Sequence, residues 1–146
     1  MKNEVEVIDD VINAWLLQYN KIKEFAEMIH ADKLPDETNT LALQRSGVEK
    51  LPLKYVTDKG WYRQYQYILL LKSNSENDRQ KLSNLGWLDD LSDWIDEQNQ
   101  LQNYPKLKNK EIKEISCANA ITCETSEDGS ESVYYLQLYF NIRGGM

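Results

Sequence analysis

The chain predicts an α+β domain: a mostly antiparallel sheet of about five strands with two helices packed on one face, in the order α-β-β-β-α-β-β. Three observations predict it. Apolar residues recur at three- and four-residue steps through residues 4–31 and again through 75–102. Between these stretches, Trp61-Tyr62-Arg63-Gln64-Tyr65-Gln66-Tyr67-Ile68-Leu69-Leu70-Leu71 is dense in aromatic and branched side chains that fit a pleated surface. Residues 132–143 then alternate apolar and polar without a break.

The first helix is expected over 4–31, with Val5, Ile8, Ile12, Trp15, Tyr19, Ile22, Ala26 and Ile29 along one side and His30 at its end. Its acids come early and its lysines later, as the helix dipole prefers. Pro35-Asp36 marks a loop, and Thr40-Leu41-Ala42-Leu43-Gln44-Arg45 reads as a strand that Ser46-Gly47 breaks. Residues 51–56 read as a second strand, its proline suiting an edge or a strand start. The turn Asp58-Lys59-Gly60 joins it to the long third strand.

On that third strand Trp61, Tyr65, Tyr67, Leu69 and Leu71 point one way, interrupted by Arg63. Tyr62, Gln64, Gln66, Ile68 and Leu70 point the other. Helices on one face only would leave Ile68 and Leu70 wet, and a neighbouring subunit would cover them.

Ser73 and Glu76 read as a capping box opening the second helix, 75–102. Its buried stripe is Leu82, Leu85, Leu88, Leu91, Ile95 and Gln98, flanked by Trp87 and Trp94; Gly86 marks a kink or a close contact. Asp89, Asp93, Asp96 and Glu97 gather on the opposite side as a solvated or partner-facing acidic surface. A fourth strand over 111–125 puts Ile115, Cys117, Ile121 and Cys123 on one face. The Asp128-Gly129 turn leads to a fifth, with Tyr134, Leu136, Leu138, Phe140 and Ile142 inward and Tyr135, Gln137, Tyr139, Asn141 and Arg143 outward.

At 146 residues the chain is read as one domain, 1–146, large enough for a core without staples. A net charge of −7 argues against gripping a nucleic-acid backbone and suits a surface from which DNA slides away. Only Lys106, Lys108, Lys110 and Lys113 form a basic cluster. No apolar run is long enough to span a bilayer, and the N-terminus is too acidic for a secretory signal, so work in the cytoplasm is expected. Cys117 and Cys123, about 20 Å apart along one strand, are expected as free thiols.

Catalytic chemistry is not expected. The single His30 has no Cys or Ser motif to serve, no Gly-rich loop opens a helix to cradle phosphate, and no Cys or His cluster suits zinc. Asp89, Asp90 and Asp93 lack the ligand pattern of an EF-hand. The expectation is therefore a protein that is not an enzyme and holds neither cofactor nor metal.

With these residues laid out, the chain resembles the small minor capsid or tail-terminator-type proteins of long-tailed bacteriophages of Gram-positive bacteria. The strings that carry the resemblance are Leu41-Ala42-Leu43-Gln44, Lys54-Tyr55-Val56-Thr57-Asp58 with Gly60, and Arg63-Gln64-Tyr65-Gln66-Tyr67. Trp87, Leu88, Leu91, Trp94, Ile95, Glu97, Gln98 and Asn99 ahead of Pro105 extend it, and Tyr135-Leu136-Gln137-Leu138 completes it. It covers most of the chain from the end of the first helix onward.

The resemblance implies a structural protein that assembles with copies of itself into a ring, typically of six subunits, at the end of the tail tube. Such a ring stops tube growth and offers a surface to the head connector. The implied partners are tail-tube and head-connector proteins, with no membrane and no sequence-specific nucleic acid. The implied location is the host bacterial cytoplasm during assembly and then the head–tail junction of the virion. On this expectation Tyr62, Gln64, Gln66 and Ile68, with Tyr135, Gln137 and Tyr139, contribute subunit contacts. The competing expectation is a small acidic binding module that docks or inhibits one protein partner through Asp89, Asp93, Asp96 and Glu97.

Overall fold

The computed structural model describes residues 8–19, 22, 29–31, 40–51, 60–74, 78–125 and 131–144, with side chains described at all of these except 31, 51, 74, 78–84 and 119–125. In chain order the elements are α1 (Ile8–Leu16), β1 (Ile29–Ala31), β2 (Thr40–Leu51), β3 (Trp61–Asn74), α2 (Asp78–Leu101), β4 (Lys110–Thr125) and β5 (Glu131–Gly144). The strands form one sheet in the order β1-β2-β3-β5-β4. Only β1 and β2 run parallel; the other pairs are antiparallel. This is the α+β architecture and element order the sequence predicts, with several boundaries moved.

The first helix is shorter than its stripe. It ends at Leu16, where Gln18 and Tyr19 donate to the carbonyls of Trp15 and Leu16 and tighten the last turn. Ile29, at the far end of the expected helix, belongs instead to β1 and registers with Leu41. His30 is therefore a half-buried strand residue opposite Ala42, not a helix cap. Non-local pairing with Leu41-Ala42-Leu43 overrides the local helical spacing.

Ser46-Gly47 does not end a strand. β2 runs through it as a bulge, the register skipping between Arg45 and Gly47, so one extra residue is absorbed and pairing with β3 continues to Leu51. The rest of the expected 51–56 strand, the 57–59 part of the turn and the Asp128-Gly129 turn lie outside the described residues. Gly60 has φ 113°, a conformation that favours glycine and agrees with a turn there. β3 continues to Asn74, so Ser73 is buried in the strand opposite Ser132 rather than capping a helix. Its expected partner Glu76 lies outside the described residues.

The core sits between the sheet and the two helices. Tyr65, Tyr67, Leu69 and Leu71 on β3 register with Phe140, Leu138, Leu136 and Tyr134 on β5, and all eight are buried. Leu88, Leu91 and Ile95 of α2 press onto them, with Ile8, Ile12, Trp15 and Leu16 of α1 beside. Aromatic rings join the layers: Trp15 lies 5.0 Å from Trp94 and 6.1 Å, edge-on, from Phe140. The expected stripe of α2 holds at Leu88, Leu91, Ile95 and Gln98, and Leu85 is partly buried against it; Leu82 has no described side chain. Nothing lies within 4 Å of where a Cβ on Gly86 would stand, so the expected close contact is not there.

α2 closes with two backbone bonds. The N–H of Asn103 donates to Gln98 and that of Gln102 to Asn99, with Gln102 at φ 55°. This is a Schellman cap with glutamine where glycine is usual. β4 is bulged, its register shifting between Ile112 and Glu114, Ala118 and Ile121, and Thr122 and Glu124. Cys117 consequently stands opposite inward Leu138, whereas Ile121 stands opposite outward Tyr135, so the expected common face of Ile115, Cys117, Ile121 and Cys123 does not persist along the strand. Cys117 is a free thiol; the side chain of Cys123 lies outside the described residues.

Candidate functional site

Burial of one sheet face under the helices leaves the other face as the largest continuous surface built by the expected contact residues. β3 and β5 bring them into register as five cross-strand pairs: Tyr62 with Arg143, Gln64 with Asn141, Gln66 with Tyr139, Ile68 with Gln137, and Leu70 with Tyr135. Tyr62, Gln64, Gln66, Ile68, Tyr135, Gln137 and Tyr139 therefore share one face, as the alternation predicts. All are half-buried except Tyr62, which is buried. Leu70, Asn141 and Arg143 lie on the same face, as the same alternation expects, and Lys72, Val133 and Glu131 continue it toward the other end of the two strands.

Side-chain hydrogen bonds run over this surface, one between β3 and β5 and two each along a single strand. Gln64 donates to Asn141 Oδ1 at 3.1 Å, Gln66 donates to Gln64 Oε1 at 3.0 Å, and the Tyr139 hydroxyl donates to Gln137 Oε1 at 2.8 Å. These bonds hold the polar heads in a flat lattice and reduce the side-chain freedom a partner would have to freeze.

The acidic residues lie elsewhere. Asp89, Asp93, Asp96 and Glu97, joined by Asp90, are exposed on the side of α2 away from Leu88, Leu91 and Ile95. The helix layer separates them from the outer sheet face, so the two sets of expected site residues form two surfaces.

A third polar group escaped sequence reasoning. The Asp9 carboxylate in the first turn of α1 accepts from Arg45 at 2.6 and 2.9 Å and from the Tyr67 hydroxyl at 2.5 Å. Burial, then the bond to Asp9, pushes the Tyr67 phenol well above its ordinary range. The Arg45 guanidinium also stacks 5.0 Å over the Tyr65 ring. The cluster clips α1 to β2 and β3. A groove of about 600 Å³ lies beside α1, between Asp10, Val11, Ala14 and Gln18 and the connection Asn103-Tyr104-Pro105-Lys106. Trp15 forms its floor, its Nε1 donating to the Asn103 carbonyl at 2.9 Å.

Burial pushes the Cys117 thiol up to about 12, against a lowering hydrogen bond from Ser92 and a further rise from Asp96. It stays protonated at neutral pH, which makes it a poor nucleophile. Among the described residues, no three of His, Cys, Asp and Glu are grouped to hold a metal ion, and no helix is long and apolar enough to cross a membrane. A scan against models of known protein families finds no match to the chain, and a search of curated proteins finds none either.

Proposed function

We propose that this is a virion structural protein of the tail-terminator or minor-capsid kind, which assembles with copies of itself through the outer sheet face into a ring at the head–tail junction. The observation that carries the self-association is the charge distribution on that face. In the five pairs from Tyr62 with Arg143 to Leu70 with Tyr135 one residue of ten, Arg143, is charged, against 28% of the whole chain; the next outward positions, Lys72 opposite Val133 and Glu131 opposite Asn74, put one charge each at the far end of the two strands. Charges return on the flanking strands, where Glu49 and Glu114 are exposed beside Gln64 and Asn141. A charge-poor, tyrosine-bearing centre within a charged rim is the anatomy of a protein interface.

The size also fits. Four strands spaced about 4.8 Å apart and twelve residues long, at about 3.4 Å each, make a face of roughly 40 by 19 Å, near the ~800 Å² each partner gives a standard interface. The phage role rests on the sequence resemblance, and with it the tail tube and head connector as further partners. The net charge of −7 suits a passage through which DNA moves without sticking.

Electron microscopy of tails from virions lacking the gene tests the role. Overlong tails mark a terminator, and normal tails without heads mark a joining protein. Tails of normal length on complete heads refute both. Ile68→Lys tests the surface: a cation at the centre of the face abolishes ring assembly on tail tubes while the folded subunit persists.

A second reading is favoured by the exposure of Asp89, Asp93, Asp96 and Glu97 along one helix side: a binding module that docks a single basic partner. Replacing those four with Asn and Gln abolishes function on that reading and spares ring assembly on the first.

A further inference from the structure

β4 is a long free edge of the sheet, with β5 on one side and no strand on the other among the described residues. Sixteen residues of edge would present a row of backbone N–H and C=O groups that another chain's strand could take up. Its register shifts blunt most of this length, because a bulge bends a strand away from a would-be partner. The longest uninterrupted run is from Glu114 to Ala118.

Asn99 of α2 sits on that run. Its Oδ1 accepts the N–H of Ile115 at 2.9 Å, and its Nδ2 donates to the carbonyl of the same residue. Two residues facing each other as a hydrogen-bonded pair across antiparallel strands exchange the same two bonds. A primary amide carries the donor and acceptor of a peptide group, so the side chain satisfies Ile115 as a neighbouring strand would. Beside it, the Tyr104 hydroxyl stands 3.4 Å from the Lys113 carbonyl. At the opposite edge, β1 is only three residues long, and its Ile29 carbonyl accepts from Asn13 of α1 at 3.1 Å.

We propose that Asn99 takes the place of one residue of a sixth strand and thereby keeps β4 from pairing edge to edge with β4 of a second copy. A second copy is the partner because a strand can pair antiparallel with itself about a two-fold axis, with Ile115 lying against the same run in its mate. The guard is independent of whether the outer sheet face carries subunit contacts.

Sedimentation velocity and amide exchange on the full chain test it. Asn99→Ala removes both bonds. At low concentration its Ile115 amide exchanges roughly tenfold faster than in the wild type. Raising the concentration then produces an association absent from the wild type, with protection at Ile115 restored. Asn99→Lys removes the same bonds but sets a cation over the edge, giving the faster exchange without the association. Should Asn99→Ala not fold, Asn99→Ser, too short to bridge Ile115, takes its place in the comparison. If the small variant keeps the wild-type association state at every concentration, Asn99 merely docks α2 on the sheet and the proposal falls. It falls equally if the small and lysine variants associate alike.

Discussion

Removing either end of the Asp9–Tyr67 bond should have unequal consequences. Tyr67→Phe deletes a hydroxyl that donates to the Asp9 carboxylate at 2.5 Å. Asp9 keeps both Arg45 contacts and is partly exposed, so no acceptor is stranded, and the ring keeps its edge-on contact with Phe140. The expected loss is about 1–1.5 kcal/mol, the worth of one bond on a half-hydrated carboxylate. Asp9→Ala leaves the Tyr67 hydroxyl without its acceptor on a residue only 1% exposed, which costs about 1–3 kcal/mol. The ion pair with Arg45 adds at most ~1 kcal/mol, since side-chain exposure of 38% and 42% leaves both partners hydrated. A lost acid in the first turn of α1 adds about 0.3–1 kcal/mol. Asp9→Ala should therefore destabilise by about 2–4 kcal/mol, and the double variant by no more than Asp9→Ala alone, because Phe has no hydroxyl to strand. Urea unfolding of the four proteins measures the cycle, and thermal melts should follow at roughly 2–4 °C per kcal/mol. Equal losses for the two single variants, or a double variant equal to their sum, would refute the account.

Gly144→Ala should destabilise by about 1–3 kcal/mol and disturb tryptophan emission, since its Cβ would stand 2.4 Å from the ring of Trp61, itself stacked under Arg63. Gly86→Ala should instead stabilise by about 0.5–1 kcal/mol in the same urea assay, its Cβ entering open space on a helix. Cys117→Ala should alter the alkaline limb of stability against pH. The folded thiol titrates near 12 and the unfolded one near 9.0, so between these values the unfolded chain loses the proton while the native chain keeps it. Stability present below pH 9 thus falls as pH rises, by up to about 1.4 kcal/mol per pH unit from this one group, and the Ala variant should lack that component in urea titrations at pH 8 to 11.

What the sequence made legible follows from which interactions are local. Alternation on β5 reads correctly from Tyr134 to Arg143 because helices cover one face only, so period two maps directly onto burial. The stripe Leu88, Leu91, Ile95 and Gln98 reads correctly because a helix needs no distant partner to set its faces. Ile29-His30-Ala31 misleads because its spacing continues a helical stripe, while the pairing that makes it a strand is with residues twelve positions away. The β4 bulges are silent in the sequence: each extra residue shifts the register against β5 until the next bulge, and nothing in Ser116-Cys117-Ala118-Asn119-Ala120 announces the one that falls there. Asn99 shows only as a polar residue near a helix end, since its meaning depends on where Ile115 comes to lie.

These features bear jointly on how copies of the chain can meet. Lateral strand addition needs a free run of backbone; β1 is too short to offer much, and the best run of β4 is held by Asn99. Contact through α2 would bring its five exposed acids, Asp89, Asp90, Asp93, Asp96 and Glu97, against another surface of a chain that is itself acidic, which long-range repulsion disfavours at low salt. The outer face carries neither obstacle: its backbone is paired on both sides at β3 and β5, the five pairs from Tyr62 to Leu70 hold one charge, Arg143, and the charges around them, Lys72, Glu131, Glu49 and Glu114, are of both signs. Self-association through that face should consequently depend little on ionic strength, whereas docking through the acidic helix should weaken steeply between low and moderate salt. Measuring assembly across that range separates the two surfaces without any substitution. A strong salt dependence of self-assembly would place the contact on α2 and remove the outer face from consideration.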